Sequence, residues 1–177
     1  MLPVPSFRRL RIAVLVCLML LIPAAASAIV PKADAFLGFS RLGNNTFYAN
    51  AGALNGWEGA LNVKVRRFVG IEGDLSHYGV GAPASTPHTT VLLFGPRVTV
   101  GAARVHVFVH ALGGGEHSSN NSGLSEGAPV VSFGGGGDVP VAPFCGLRVS
   151  ADWLTAPGKT PSGAARARFS AGIVFRF

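Results

Sequence analysis

From about residue 33 onward the sequence alternates between apolar and polar residues. The stretch WEGALNVKV sets Trp57, Leu61, Val63 and Val65 on one side of an extended chain and Glu58, Asn62 and Lys64 on the other. VGIEGDLSHY sets Ile71 and Leu75 against Glu72, Asp74, Ser76 and Tyr78. RVHVFVHAL sets Val105, Val107, Val109 and Ala111 against Arg104, His106 and His110, and LRVSADW sets Leu147, Val149, Ala151 and Trp153 against Arg148, Ser150 and Asp152. A period of two is that of a β-strand with one apolar and one polar face. No stretch after residue 31 carries the 3.6-residue period of an amphipathic helix, and the 24 glycines and 12 prolines interrupt the chain too often for long helices. The expected class is all-β.

Alternation alone leaves two burial schemes open. A soluble sandwich or a secreted lipocalin-like barrel with an apolar ligand cavity buries the greasy face and wets the polar one. A membrane-spanning barrel turns the greasy face to lipid and the polar face to the lumen. The connections decide between them. Eight strands are expected near 33–42, 55–66, 68–79, 88–99, 103–115, 129–139, 144–154 and 164–177. Joins near Arg66-Arg67, Gly101-Ala102 and Pro140 to Pro143 are short, whereas GNNTFYANAGA, GVGAPASTP, HSSNNSGLSEG and TAPGKTPSG are longer and polar. Short turns at one rim, longer loops at the other and an even number of strands form the pattern of an eight-stranded, antiparallel, up-and-down transmembrane β-barrel.

The first 28 residues read as a secretory leader. Arg8, Arg9 and Arg11 precede the apolar run IAVLVCLMLLI, which is too short to span a bilayer as a helix, and Ala26-Ser27-Ala28 forms a cleavage site. The expected organisation is a signal peptide, 1–28, cleaved after Ala28, and a barrel domain, 29–177. Cleavage removes three of the fifteen basic residues and none of the eight acidic ones, so the net charge falls from +7 to +4. That argues against nucleic acid as a partner, which calls for basic residues clustered on one face. Cys17 leaves with the leader and Cys145 remains alone, so no internal disulfide is expected.

The last strand is the most specific segment. FSAGIVFRF places Phe169, Ala171, Ile173, Phe175 and Phe177 on one face, and Ser170, Gly172 and Arg176 on the other, with Arg166 and Arg168 before them. Ser170-x-Gly172-x-x-Phe175-x-Phe177 resembles the C-terminal assembly signal of bacterial outer-membrane proteins. The stretch from about Ala33 to Phe177 is similar to a small OmpA/OmpX-type outer-membrane β-barrel domain, in DAFLGFSRL as an opening strand and in LLFGPRV and GGGGDVP as central ones. The resemblance implies residence in the outer membrane, contact with its lipid and lipopolysaccharide, and insertion by the barrel-assembly machinery. It also implies a structural or surface-interaction role, with an extracellular ligand of the loops as a further partner.

Eight strands enclose an interior that side chains fill, so a general diffusion channel is not expected. The predicted lumen carries Asp34, Glu58, Glu72, Asp74, Asp138 and Asp152 against Lys64, Arg97, Arg104, Arg148, Arg166, Arg168 and Arg176. These charges must pair, and folding the hairpin about 155–163 brings Asp152 opposite Arg166 or Arg168. Motifs of enzyme chemistry fall away. APGKT lacks the earlier glycine and the helix of a phosphate-binding loop. His106 and His110 lie about 13 Å apart on a strand, too far to share one metal directly. The glycine runs at 113–115 and 134–137 lack a dinucleotide-binding context and are read as giving curvature or room for large inward side chains. No cofactor or metal is expected and the protein is read as non-enzymatic. The alternative rests on His117-Ser118-Ser119-Asn120, which resembles the His-x-Ser-Asn segment of outer-membrane lipid A deacylases, with His117 as base and Ser119 as nucleophile.

Overall fold

A computed structural model describes residues 33–43, 52–79, 88–102, 105–119, 125–157 and 165–177. The expected leader, Arg104, Asn120 and the APGKT lysine lie outside them. The alternating segments form eight strands: β1 (Ala33–Leu42), β2 (Leu54–Lys64), β3 (Val69–Tyr78), β4 (His88–Ala102), β5 (Val105–Ser119), β6 (Ser125–Ala142), β7 (Cys145–Thr155) and β8 (Arg166–Arg176). Each pairs antiparallel with the next, and β8 returns to β1, so the sheet closes into a barrel. Closure gives every strand a hydrogen-bonded neighbour on both sides, which is the condition for crossing hydrocarbon without an open sheet edge. At the seam Ala35 lies opposite Phe175, Gly38 opposite Gly172 and Ser40 opposite Ser170. The ladder continues to the last residue, where the Phe177 N–H donates to the Ala33 carbonyl at 2.9 Å.

The short joins share one rim. Residues 65–68 form a turn in which the Val65 and Arg66 amides both donate to the Val69 carbonyl at 2.9 Å, and Pro143-Phe144 links β6 to β7. Leu42, Leu54, Tyr78, His88, Ser119, Ser125, Thr155 and Arg166 end their strands at the other rim. Several boundaries differ from the sequence expectation: β4 runs through the join expected at Gly101-Ala102, and β6 runs past Pro140 to Ala142. The segment read as a loop between 117 and 127 is strand at both its ends, with Glu116 opposite Ala128, His117 opposite Gly127, Ser118 opposite Glu126 and Ser119 opposite Ser125. A span needs about 9–11 tilted residues. β5 has 15 and β6 has 18, so their hairpin stands proud of the membrane on the loop side. The inward Ser118 is buried there, its hydroxyl 2.8 Å from that of Thr89.

Side chains sort by parity. Leu37, Leu61, Ile71, Val107, Val109, Leu147, Val149 and Ile173 are exposed on the outside and form an apolar belt. Exposed rings border it: Phe39, Trp57, Phe133, Trp153 and Phe169 toward the loops, and Phe68, Phe144, Phe175 and Phe177 toward the turns. An apolar band between two aromatic girdles is the signature of a barrel solvated by lipid. The lipocalin-like arrangement is reversed here, because the buried set includes Asp34, Glu72, Asp74, Arg97, Arg148, Asp152 and Arg168.

Candidate functional site

Seven of the eight carboxylate residues are buried inside the barrel; Glu126, near the loop-side end of β6, is the exposed exception. Parity puts them there, and the arginines follow by the same alternation. Toward the turns, Arg148 holds Asp138 with two bonds, Nε to Oδ1 at 2.7 Å and Nη2 to Oδ2 at 2.9 Å, and reaches Asp34 at 2.8 Å. Arg97 donates to Glu72 at 2.8 Å and to Asp34 at 3.3 Å. Between these arginines lies the Phe108 ring, with the Arg97 guanidinium carbon 3.7 Å and that of Arg148 4.9 Å from its centroid. The ring face takes up cationic surface that carboxylates do not cover.

His110 joins this group to the next one. Its Nδ1 lies 2.8 Å from Glu72 and its Nε2 2.6 Å from Asp152. Arg168, fully buried, donates from Nε to Asp152 at 2.8 Å and from Nη1 to Asp74 at 2.9 Å, with Glu58 at 3.6 Å. Of the two arginines expected near Asp152, Arg168 is the one opposite it in the β7–β8 register. Arg166 instead makes a two-pronged contact with Glu116 of β5. The reason is the longer β5, which carries Glu116 into the lumen rather than into a loop.

Room for these side chains comes from glycine. A Cβ on Gly134 would overlap an Asp152 oxygen, and one on Gly136 would lie 2.8 Å from the Phe108 ring. Toward the loops the lumen turns apolar: Leu42, Leu54, Val91, Leu93, Leu112, Val130 and Leu154 pack with the Tyr78 ring. Sequence reasoning missed this plug, Glu116 and the bridging role of His110. For Glu116 and His110 the signal was parity, since both continue the inward register of β5.

The residues of the C-terminal signal divide between the faces. Phe175 and Phe177 are exposed outside. Ser170 points inward, its hydroxyl 2.9 Å from that of Ser40 and bonded to Glu58. Gly172 lies opposite Gly38, where a Cβ would collide with the Gly38 backbone, so the seam closes tightly there.

His117 and Ser119 both lie at outward positions of β5. The Nε2 of His117 is 3.2 Å from the Ser125 hydroxyl across the hairpin, and the adjacent carboxylate, Glu116, faces the opposite way to Arg166. Among the described residues no acid orients His117 as a triad requires.

A closed eight-stranded barrel, apolar outside and charge-filled inside, has the fold of a small OmpA/OmpX-type outer-membrane β-barrel. No protein-family profile and no curated protein sequence matches the chain. Solved structures do. Neisserial surface protein A superposes with a TM-score of 0.62 at 13% identity, over 83% of this chain and 97% of that one. The N-terminal β-barrel domain of Pseudomonas aeruginosa OprF gives 0.60 at 13%, over 82% and 97%. Ail, the attachment invasion locus protein of Yersinia pestis, gives 0.54 at 14%, over 84% and 100%. At such identity the likeness is one of fold.

Proposed function

We propose that this protein is a non-enzymatic barrel of the bacterial outer membrane that serves as a structural element and holds its loops outside the cell. The observation that carries this reading is the filled lumen: buried ion pairs run from Asp138 near the turns to Arg168, and toward the loops an apolar plug packs beside a further buried pair, Arg166 with Glu116. A wall without an aqueous path does no solute transport, and a rigid barrel bearing longer connections at one rim is a scaffold for recognition. Ail, a barrel of similar fold, has been crystallised in complex with the heparin analogue sucrose octasulfate. In the same reading the leader is cleaved after Ala28, and Ser170, Gly172, Phe175 and Phe177 present the strand that the barrel-assembly machinery reads.

The test is fractionation of expressing cells, a gel of unheated against boiled samples, and conductance of the purified protein in planar bilayers. The protein pellets with outer membranes, changes mobility on boiling and gives no steady conductance. Soluble protein of fixed mobility removes the membrane reading, and a stable open channel removes the closed-lumen reading. The deacylase alternative predicts loss of an acyl chain from lipid A in expressing cells, restored by Ser119→Ala. The present reading predicts no change in lipid A mass.

A further inference from the structure

The histidines do not share one environment. His110 is held inside the barrel between two acids, whereas His77, His88 and His117 stand on the outer face near the loop-side ends of β3, β4 and β5. Spacing along one strand yields no metal pair, but register across strands does. His77 lies opposite Thr90, and His88 is two residues farther along β4, so the two histidines are diagonal neighbours on one face of the sheet. Their ring centroids are 6.0 Å apart and their planes within 9°. The His77 Nδ1 lies 2.9 Å from the Thr90 hydroxyl, which leaves Nε2 for a second partner. On the β2 side the Trp57 ring flanks His77, with centroids 6.3 Å apart.

We propose that His77 and His88 form a two-histidine site for a borderline-soft divalent metal ion, of the Zn²⁺, Ni²⁺ and Cu²⁺ class, taken up from the aqueous side of the loop rim. Imidazole nitrogen suits these ions, whereas Mg²⁺ and Ca²⁺ call for oxygen ligands. The described outward positions of β2 to β5 carry no carboxylate that would favour a hard cation. A metal bound about 2 Å from one nitrogen of each ring holds the two centroids about 5–6 Å apart, close to the separation already present. Rotation of the exposed His88 ring about χ2 turns its lone pair toward that of His77. Thr90 is the positioning residue: its hydroxyl accepts from His77 Nδ1–H and so fixes the tautomer in which Nε2 binds the metal. Among the described residues no set of three histidine, cysteine or acidic side chains is gathered for a metal, so the protein supplies two ligands and water the rest. His117 lies across Thr90 on β5, its Nε2 already 3.2 Å from the Ser125 hydroxyl, and is not one of the ligands. The bound ion ties β3 to β4 at the loop-side end of their hairpin.

The experiment is isothermal titration calorimetry of the full barrel, refolded in detergent without a polyhistidine tag, with Zn²⁺, Cu²⁺ and Mg²⁺. The wild type takes up one Zn²⁺ or one Cu²⁺, Cu²⁺ more tightly, and no Mg²⁺. His77→Ala and His88→Ala each weaken Zn²⁺ binding about tenfold or more, and the double variant abolishes it. Thr90→Val weakens it several-fold, whereas Thr90→Ser restores it. His106→Ala and His117→Ala leave it within about twofold of the wild type. Electron spin echo modulation of bound Cu²⁺ shows two imidazoles in the wild type and one in either single variant, a count that a merely structural role for these residues would not change. Binding by the double variant equal to that of the wild type, Mg²⁺ uptake equal to Zn²⁺ uptake, or a loss with His117→Ala as large as with His88→Ala overturns the site. Every variant must first shift on boiling; where an alanine variant does not, glutamine at the same position takes its place. A wild type that shifts on boiling yet takes up no metal overturns the site and leaves the barrel reading standing.

Discussion

Arg168 is surrounded by Asp152, Asp74 and Glu58 with no solvent to share the load. Removing one partner of such a group leaves buried charge uncompensated, which typically costs about 3–5 kcal/mol. Arg168→Met therefore lowers stability by about that amount, measured as the urea midpoint of micelle-refolded protein with Trp57 and Trp153 as fluorescence reporters. The Arg166–Glu116 contact behaves differently because Arg166 lies opposite Leu154, a member of the apolar plug. Arg166→Met alone is costly, but adding Glu116→Met recovers most of the loss, since a buried pair exchanged for packed apolar groups is often neutral or stabilising. The same assay checks it, and a double variant as weak as the single one contradicts the argument. Gly134→Ala forces a Cβ onto Asp152 and costs about 1–3 kcal/mol by overpacking. A neutral Gly134→Ala would show that the Asp152 carboxylate has room to move.

At the level of strands, β8 carries two separable demands. The terminal Phe177 contributes one ladder bond, to Ala33, and an exposed ring. Deleting it leaves refolding in detergent nearly intact, whereas the outer-membrane level in cells falls several-fold if the residue is also part of an assembly signal; equal loss in both settings assigns Phe177 a structural role only. Strand number, order and parity were legible because a period of two leaves one consistent assignment of faces and because turn and loop lengths alternate. The ends of β5 and β6 were not, since His117, Ser118, Ser119 and Ser125 are residue types shared by loops and by strands extending past a membrane. Nor were partners across the lumen. Hairpin folding sets Asp152 opposite Arg168, but the contacts of Arg168 with Asp74 and of Arg148 with Asp34 join residues 94 and 114 positions apart. Barrel closure and stagger bring those together, and no local pattern encodes either. The plug was hidden for a related reason: VLLF in β4 is apolar on both faces, so Val91 and Leu93 carried no sign of pointing inward.

For the whole molecule, the central feature is segregation. All the acids but Glu126 are inside with arginines and His110, the belt is hydrocarbon-like, and the exposed charge at the described rims includes Arg41, Arg66, Arg67 and Glu126. Such a body calls for an apolar medium around its waist. Accessibility measured by electron paramagnetic resonance in lipid bilayers tests this most directly, using single spin labels at Leu61, Val109, Val149 and Ile173 in a Cys145→Ser background, with Ser170 as the inward comparison. The account predicts high oxygen and low aqueous-nickel accessibility at the four belt positions on all sides of the barrel, and low accessibility to both at Ser170. Belt labels open to aqueous nickel, or a Ser170 label more lipid-exposed than its neighbours, would contradict it.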